Sequence, residues 1–231
     1  MIRHTLILIA LGSTSLAEAF GFNDITFWAG TGNNRAALVV DWKDQKAPPA
    51  LAWGFRFDGT ATGEDMLRAI VTSDPLVFAK IASFSFGIAL VGLGYDTNGD
   101  GLPLSDGTAW PGDRWLVGPP SDGGTALDPH DRYREGWNTG YWSYWVSSGS
   151  TLGSWSASQT GLSGRVLSDG SWDGLSFAPG FVGLAPDDPV AAPEPGLLLG
   201  LGALTWSVMR TRIRRNPRRS PRASGQAVTR S

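Results

Sequence analysis

The sequence predicts an α+β domain that is mainly β, with a mixed or antiparallel sheet and one packed helix. Three observations predict it. Short β-branched and aromatic runs separated by Gly, Pro and Asp clusters recur through the middle of the chain, as in Ala36 to Trp42 and Leu51 to Asp58. Only one segment of the middle of the chain, Gly63 to Val71, joins helical periodicity to a start signal. Strands precede and follow it, an order that suits a helix laid on a sheet.

Taken in order, Ala36 to Trp42 (AALVVDW) lies between Gly32-Asn33-Asn34 and Lys43-Asp44 and reads as a buried strand. Leu51 to Asp58 sets Leu51, Trp53, Phe55 and Phe57 against Ala52, Gly54, Arg56 and Asp58, the period of a half-buried strand. Arg56, on its polar face, is expected to pair with Asp41 across the strands rather than to hold a ligand carboxylate. Thr62 caps the helix with Asp65 as its capping-box partner. Met66, Leu67, Ile70 and Val71 form its apolar face, and Asp74-Pro75 ends it. Phe78 to Tyr95 follows as one long strand or a bent pair, with Gly87 at the bend and Phe84, Phe86, Ile88, Leu90 and Leu93 apolar. From Thr97 to His130 the chain is rich in Gly, Pro, Asp and Ser, a long irregular excursion. Tyr141 to Val146, Gly153 to Ser158 and Gly174 to Phe177 read as a closing series of strands. Pro186 to Pro195 reads as an extended linker.

The ends of the chain read as addresses. Arg3 and His4, the apolar stretch Thr5 to Gly12 and Ala17-Glu18-Ala19 match the three regions of a secretory signal peptide, a signal helix whose removal starts the mature chain near Phe20. At the other end Pro193-Glu194-Pro195 precedes the apolar run Gly196 to Met209 and the basic stop Arg210, Arg212, Arg214 and Arg215. The run has 14 residues, about 21 Å as a helix against a hydrocarbon core of about 30 Å. Extension through Ile213, with arginines snorkelling, lengthens it into a C-terminal transmembrane helix. The positive-inside rule keeps the arginines in the cytoplasm.

Pro193-Glu194-Pro195, Leu197 to Met209 and the arginines that follow resemble the PEP-CTERM sorting signal of exopolysaccharide-producing Gram-negative bacteria. The resemblance implies recognition by an exosortase, a membrane transpeptidase that cuts near the motif. It also implies export, an intermediate anchored in the inner membrane, and delivery to the cell surface or the extracellular matrix. It covers only the C-terminal end of the chain and departs from the family in its short apolar segment and in a tail from Asn216 to Ser231. The expected divisions are a signal peptide at 1–19, an exported Trp-rich domain at 20–185, a linker at 186–195, the membrane segment and stop at 196–215, and a disordered basic tail at 216–231. The spacing within the domain is similar to β-grasp-like ligand-binding domains. Trp53-Gly54-Phe55-Arg56-Phe57-Asp58-Gly59 and Tyr141 to Trp145 resemble segments of uncharacterised exported bacterial surface proteins, a likeness that implies no activity.

Arg3 and the eight arginines from Arg210 to Arg230 are 9 of the 19 basic residues, so the exported part keeps 10 against 20 of the 21 acids, a charge of about -10. Such a surface repels phosphates, which sets nucleic acid aside as a partner. With no cysteine, the fold must be held by its core, and ten of the 11 tryptophans lie in the exported part to build it.

Asp96-Thr97-Asn98-Gly99-Asp100-Gly101 matches the opening of a calcium loop: hard oxygens on a tight turn, with glycine at the reversal. Gly107 stands where a bidentate Glu is expected, and the adjacent Asp106 is the substitute ligand. A glycine-rich Asx turn explains the same residues without metal. Trp137, Tyr141, Trp142, Tyr144 and Trp145 offer a stacking surface for sugar rings or a flat cofactor. Core packing is the competing reading, with Trp142 and Tyr144 on one strand face and Tyr141, Ser143 and Trp145 on the other. Trp28, Trp42 and Trp53 are expected as core anchors. No thiol and a single exported histidine, His130, exclude a Cys nucleophile and a multi-His zinc site, and no G-x-S-x-G elbow is present. The sequence therefore points to a non-catalytic surface protein that binds a glycan or small ligand. The alternatives are a carbohydrate-active hydrolase with two carboxyls facing a cleft, and a domain that captures a flat cofactor.

Overall fold

The computed structural model describes residues 19–194. Residues 1–18, which hold most of the stretch read as a signal peptide, and Pro195, the apolar run, Arg210, Arg212, Arg214, Arg215 and the tail 216–231 lie outside the described residues. Among the described residues no helix is long and apolar enough to cross a membrane.

The chain is mainly β with one α-helix among the described residues. In order it forms β1 (Trp28–Gly30), β2 (Asn34–Asp41), β3 (Ala50–Phe57), α1 (Gly63–Ser73), β4 (Val77–Phe84), β5 (Gly87–Tyr95), β6 (Trp115–Val117), β7 (Arg132–Glu135), β8 (Gly140–Ser148), β9 (Ser156–Ala157), β10 (Ser171–Pro179) and β11 (Pro189–Ala191). A short 3-10 turn, Leu162–Gly164, lies between β9 and β10.

These strands divide between two mixed sheets, where the sequence suggests one sheet of β-grasp form. The larger runs β1-β3-β2-β10-β8-β9, with β11 also on β3, and the smaller runs β6-β4-β5-β7. Bulk explains the division. Trp42 and Trp53 on the large sheet and Tyr95 on the small one need an apolar layer between them. Ring centroids lie 6.3 Å apart for Trp42 and Tyr95 and 5.9 Å for Trp53 and Tyr95, and the Trp42 indole N–H donates to the Leu93 carbonyl at 2.9 Å. The apolar face of α1 (Met66, Leu67, Ile70, Val71) joins the same core. Its start is the expected capping box of Thr62 and Asp65, and Asp74 ends it.

The alternation in β3 predicts one wet face, yet only Arg56 of that strand is exposed. The outer face of the large sheet is covered by Phe20, Phe22, Ile25, Trp28, Leu152 and Trp155, packed around Ala37, Val39, Ala50, Ala52 and Trp172. Trp42 and Trp53 are core as expected, whereas Trp28 is only partly buried on that outer layer. Register rules out the expected Arg56–Asp41 pair: Arg56 sits opposite Arg35, and Asp41 opposite Ala50. Arg56 instead lies over the Trp28 ring at 4.8 Å, and Asp41 takes Lys43 at 2.7 Å.

Part of the segment read as linker belongs to the fold. The chain after β10 crosses the outer face, where Asp187 meets Lys43 at 3.0 Å, and Pro189–Ala191 then adds parallel to β3. β11 takes Ala50 to Ala52 and β1 takes Gly54 to Arg56, so arriving and departing chain share one edge of β3. At their junction the Thr26 hydroxyl donates to the Ala192 carbonyl at 2.8 Å.

Candidate functional site

Phe78 to Tyr95 is the bent pair of the two expected forms, β4 and β5 joined by a tight turn at Ser85-Phe86. Gly87 makes the bend at φ +124°, where an added Cβ would come within 2.5 Å of Ser163 Oγ. The turn does not bury its phenylalanines as the apolar pattern suggests. Phe86 is 78% exposed, and Phe84 stacks between it and Trp137, with centroids at 5.1 and 5.7 Å and ring planes within 4° and 16° of parallel.

Trp137 reaches this ridge from the turn between β7 and β8, and a loop distant in sequence fixes it. The Asp122 carboxylate accepts the backbone N–H groups of Trp137 at 2.6 Å and Asn138 at 2.9 Å, the Asn138 side-chain amide at 2.7 Å and the Thr139 hydroxyl at 3.0 Å. These donors, the Trp137 N–H first among them, hold the carboxyl far below its ordinary value.

Beside the ridge, where β5 approaches β8, lies a groove of about 280 Å³ walled by Phe86, Ile88, Leu90, Trp137, Tyr141, Trp142, Tyr144 and Leu162. The sequence-predicted aromatics divide around it. Trp137 and Tyr141 are exposed, and Tyr141 stacks on the exposed Phe181 at 6.1 Å. Trp142 is core, edge-on to Trp42 at 6.5 Å and to Phe177 at 5.6 Å. The Tyr144 hydroxyl donates to the buried Asp173 carboxylate, which also takes Arg165 at 3.2 Å. Burial pushes both the tyrosine and the aspartic acid up. Trp145 is half-buried on the opposite face, its indole N–H donating to Ser143 Oγ at 3.0 Å. Sequence reasoning missed Phe84, Phe86 and Phe181. The Phe-Ser-Phe-Gly order at a turn is the only signal for the first two.

Larger hollows of about 600 and 460 Å³ lie beside Phe20 and along Ser147 to Ser156. Flat apolar walls set the aromatic groove apart from these hollows, whose linings include serines or aspartates.

The second site is the calcium-like loop. Asp96, 3% exposed, accepts the Gly99 N–H at 2.7 Å through one oxygen and the Gly101 N–H at 2.7 Å through the other. Gly99 and Gly101 have φ of +79° and +108°, which only glycine adopts without strain. One carboxylate oxygen from each of Asp96, Asp100 and Asp131 lies within 4.8 Å of the others. Asn98 is a spacer, its amide donating to Asp100 at 3.1 Å and to Asp128 at 2.9 Å. Asp106 sits elsewhere, bonded to the Thr108 hydroxyl at 2.7 Å and 3.8 Å from Lys80 Nζ. Burial, then the charges of Asp96, Asp128 and Asp100, raise the Asp131 carboxyl to about 6. His130 points outward beside Asp128 at 2.9 Å. Asp131 follows the far end of the excursion, and nothing local in the sequence joins it to Asp96.

A third cluster holds the inner side of the excursion. Lys80 and Glu135 pair at 3.1 Å while buried, and the Tyr133 hydroxyl donates to the same carboxylate. Of the triplet read as a sorting motif, Pro193 is half-buried and Glu194 exposed, directly after Ala192, whose N–H donates to the Ala52 carbonyl at 2.9 Å.

No protein family, curated protein or solved structure matches the chain.

Proposed function

We propose that this protein is an exported, surface-sorted, non-catalytic component of the envelope or extracellular matrix whose Trp-rich domain binds a glycan. The observation that carries the binding is the exposed ridge Phe86, Phe84 and Trp137 along an aromatic groove. Sugar rings present C–H faces that stack on such surfaces. The groove lining contains no carboxylate, which favours binding over glycoside hydrolysis. Export and sorting rest on the signal-peptide pattern, on Pro193-Glu194-Pro195 and on the arginine stop. The exosortase and the export machinery are the implied partners, with the membrane engaged through the C-terminal segment.

The same groove supports a second reading, a flat small molecule held between Trp137 and Tyr144. Affinity electrophoresis of the full-length chain through gels of bacterial exopolysaccharides tests the first. Retardation that disappears in Trp137→Ala and Phe86→Ala is expected. Migration unchanged in every polysaccharide would overturn glycan binding and leave the small-ligand reading. Cell fractionation with intact-mass measurement tests sorting: the expected product begins near Phe20 and ends near Pro195, and a chain that keeps its arginines in the inner membrane would refute processing.

A further inference from the structure

We propose that Asp96, Asp100 and Asp131 form a divalent-cation site, suited to calcium, that clamps the neck of the long excursion. Tyr95 closes β5 and Arg132 opens β7, and the two residues are register partners. The chain between them leaves through Asp96 and returns through Asp131, so the cluster joins the two ends of one loop. The ligand set therefore differs from the local loop motif: Asp131 replaces Asp106.

Two observations carry the site beyond a collection of acids. The three carboxylates converge within 4.8 Å, and among the described residues no basic side chain lies within 4.0 Å of any of them. Lys46, the nearby cation, is engaged with the backbone carbonyls of Pro129 and Asp131. Asp131 is 1% exposed, and while its Oδ1 accepts the Thr97 N–H at 2.9 Å, its Oδ2 is sealed from solvent with no donor. A buried carboxylate oxygen without a partner is costly, and the cost is greater beside two other carboxylates. A divalent ion relieves both. Calcium takes six to eight oxygens at irregular angles, so three carboxylates supplemented by backbone carbonyls and water suit it better than the strict octahedron of magnesium. The site stands independently of the glycan reading.

Calorimetric titration of the chelator-treated full-length chain with calcium chloride tests it, together with thermal melting in calcium and in chelator. Saturable binding and a midpoint several degrees higher in calcium are expected. Asp131→Asn and Asp100→Asn should each weaken binding by about tenfold or more, while Asp106→Asn should bind like the parent. Asp131→Asn keeps an oxygen for the Thr97 N–H and removes one charge, so in chelator it should melt no lower than the parent. A purely structural Asp131 would melt lower there. No heat of binding and an unmoved midpoint would overturn the proposal, as would calcium affinity that survives Asp131→Asn or fails in Asp106→Asn.

Discussion

Asp122 Oδ1 accepts the Trp137 N–H at 2.6 Å, so a side chain of the long excursion fixes the most exposed indole of the aromatic ridge. The two residues lie 15 apart, with the strand β7 between them in the chain.

Acid should therefore weaken the hold on the Trp137 turn. The Asp122 carboxyl is lowered in the folded state, so its contribution is present above the unfolded value of about 3.9 and is lost as pH falls through the folded one. Hydrogen exchange at residues 136 to 139 should be constant from neutral pH to about 4 and accelerate below it, after correction for intrinsic rates. Asp122→Ala should show the released state at neutral pH. Identical exchange in parent and variant would refute the link.

Trp137→Ala should weaken ligand binding by about tenfold or more, roughly 1.4 kcal/mol, with little change in stability because the ring is 41% exposed. Trp142→Ala should act oppositely and destabilise the domain by about 3–5 kcal/mol, as loss of a core indole does. Binding and urea denaturation of both variants check the division of roles.

Lys80→Met leaves Glu135 buried without its cation and should cost about 3–5 kcal/mol. The double variant Lys80→Met, Glu135→Leu should recover only part of the loss, because it leaves the buried Tyr133 hydroxyl without its acceptor. A single variant as stable as the parent would mean that water already solvates this pair.

Trp53→Phe removes the indole N–H that donates to the buried Asp74 carboxylate at 2.8 Å. Burial already raises that acid, so losing a donor raises it further. A carboxyl raised in the folded state opposes folding once pH exceeds the unfolded value. The cost, about 1–3 kcal/mol, should accordingly be larger at pH 7 than near pH 4. Urea melts at the two pH values test the sign.

Gly87→Ala should destabilise the β4–β5 turn, because the residue sits at φ +124° and its Cβ would strike Ser163. Weaker glycan retardation together with a lower melting midpoint is expected. An unchanged midpoint would show that the turn can relax to another form.

The sequence by itself determined what depends on near neighbours along the chain. The Thr62–Asp65 capping box, the apolar stripe of α1, the bend at Gly87, the buried run of β2 and the existence of strand β3 follow from spacings of two to four residues. The Asp96 loop was legible for the same reason, since its glycines and carboxylates lie within one turn. Tertiary structure decided the rest. Pairing of β5 with β7 brings Asp131 to Asp96, and no local pattern records a register between segments some 35 residues apart. Register likewise sent Arg56 to Trp28 rather than to Asp41, and the second layer over β3 defeated its alternation. Trp137 and Trp142 are the same residue type five positions apart, yet one is exposed and the other core, because burial depends on what the folded chain brings against each ring.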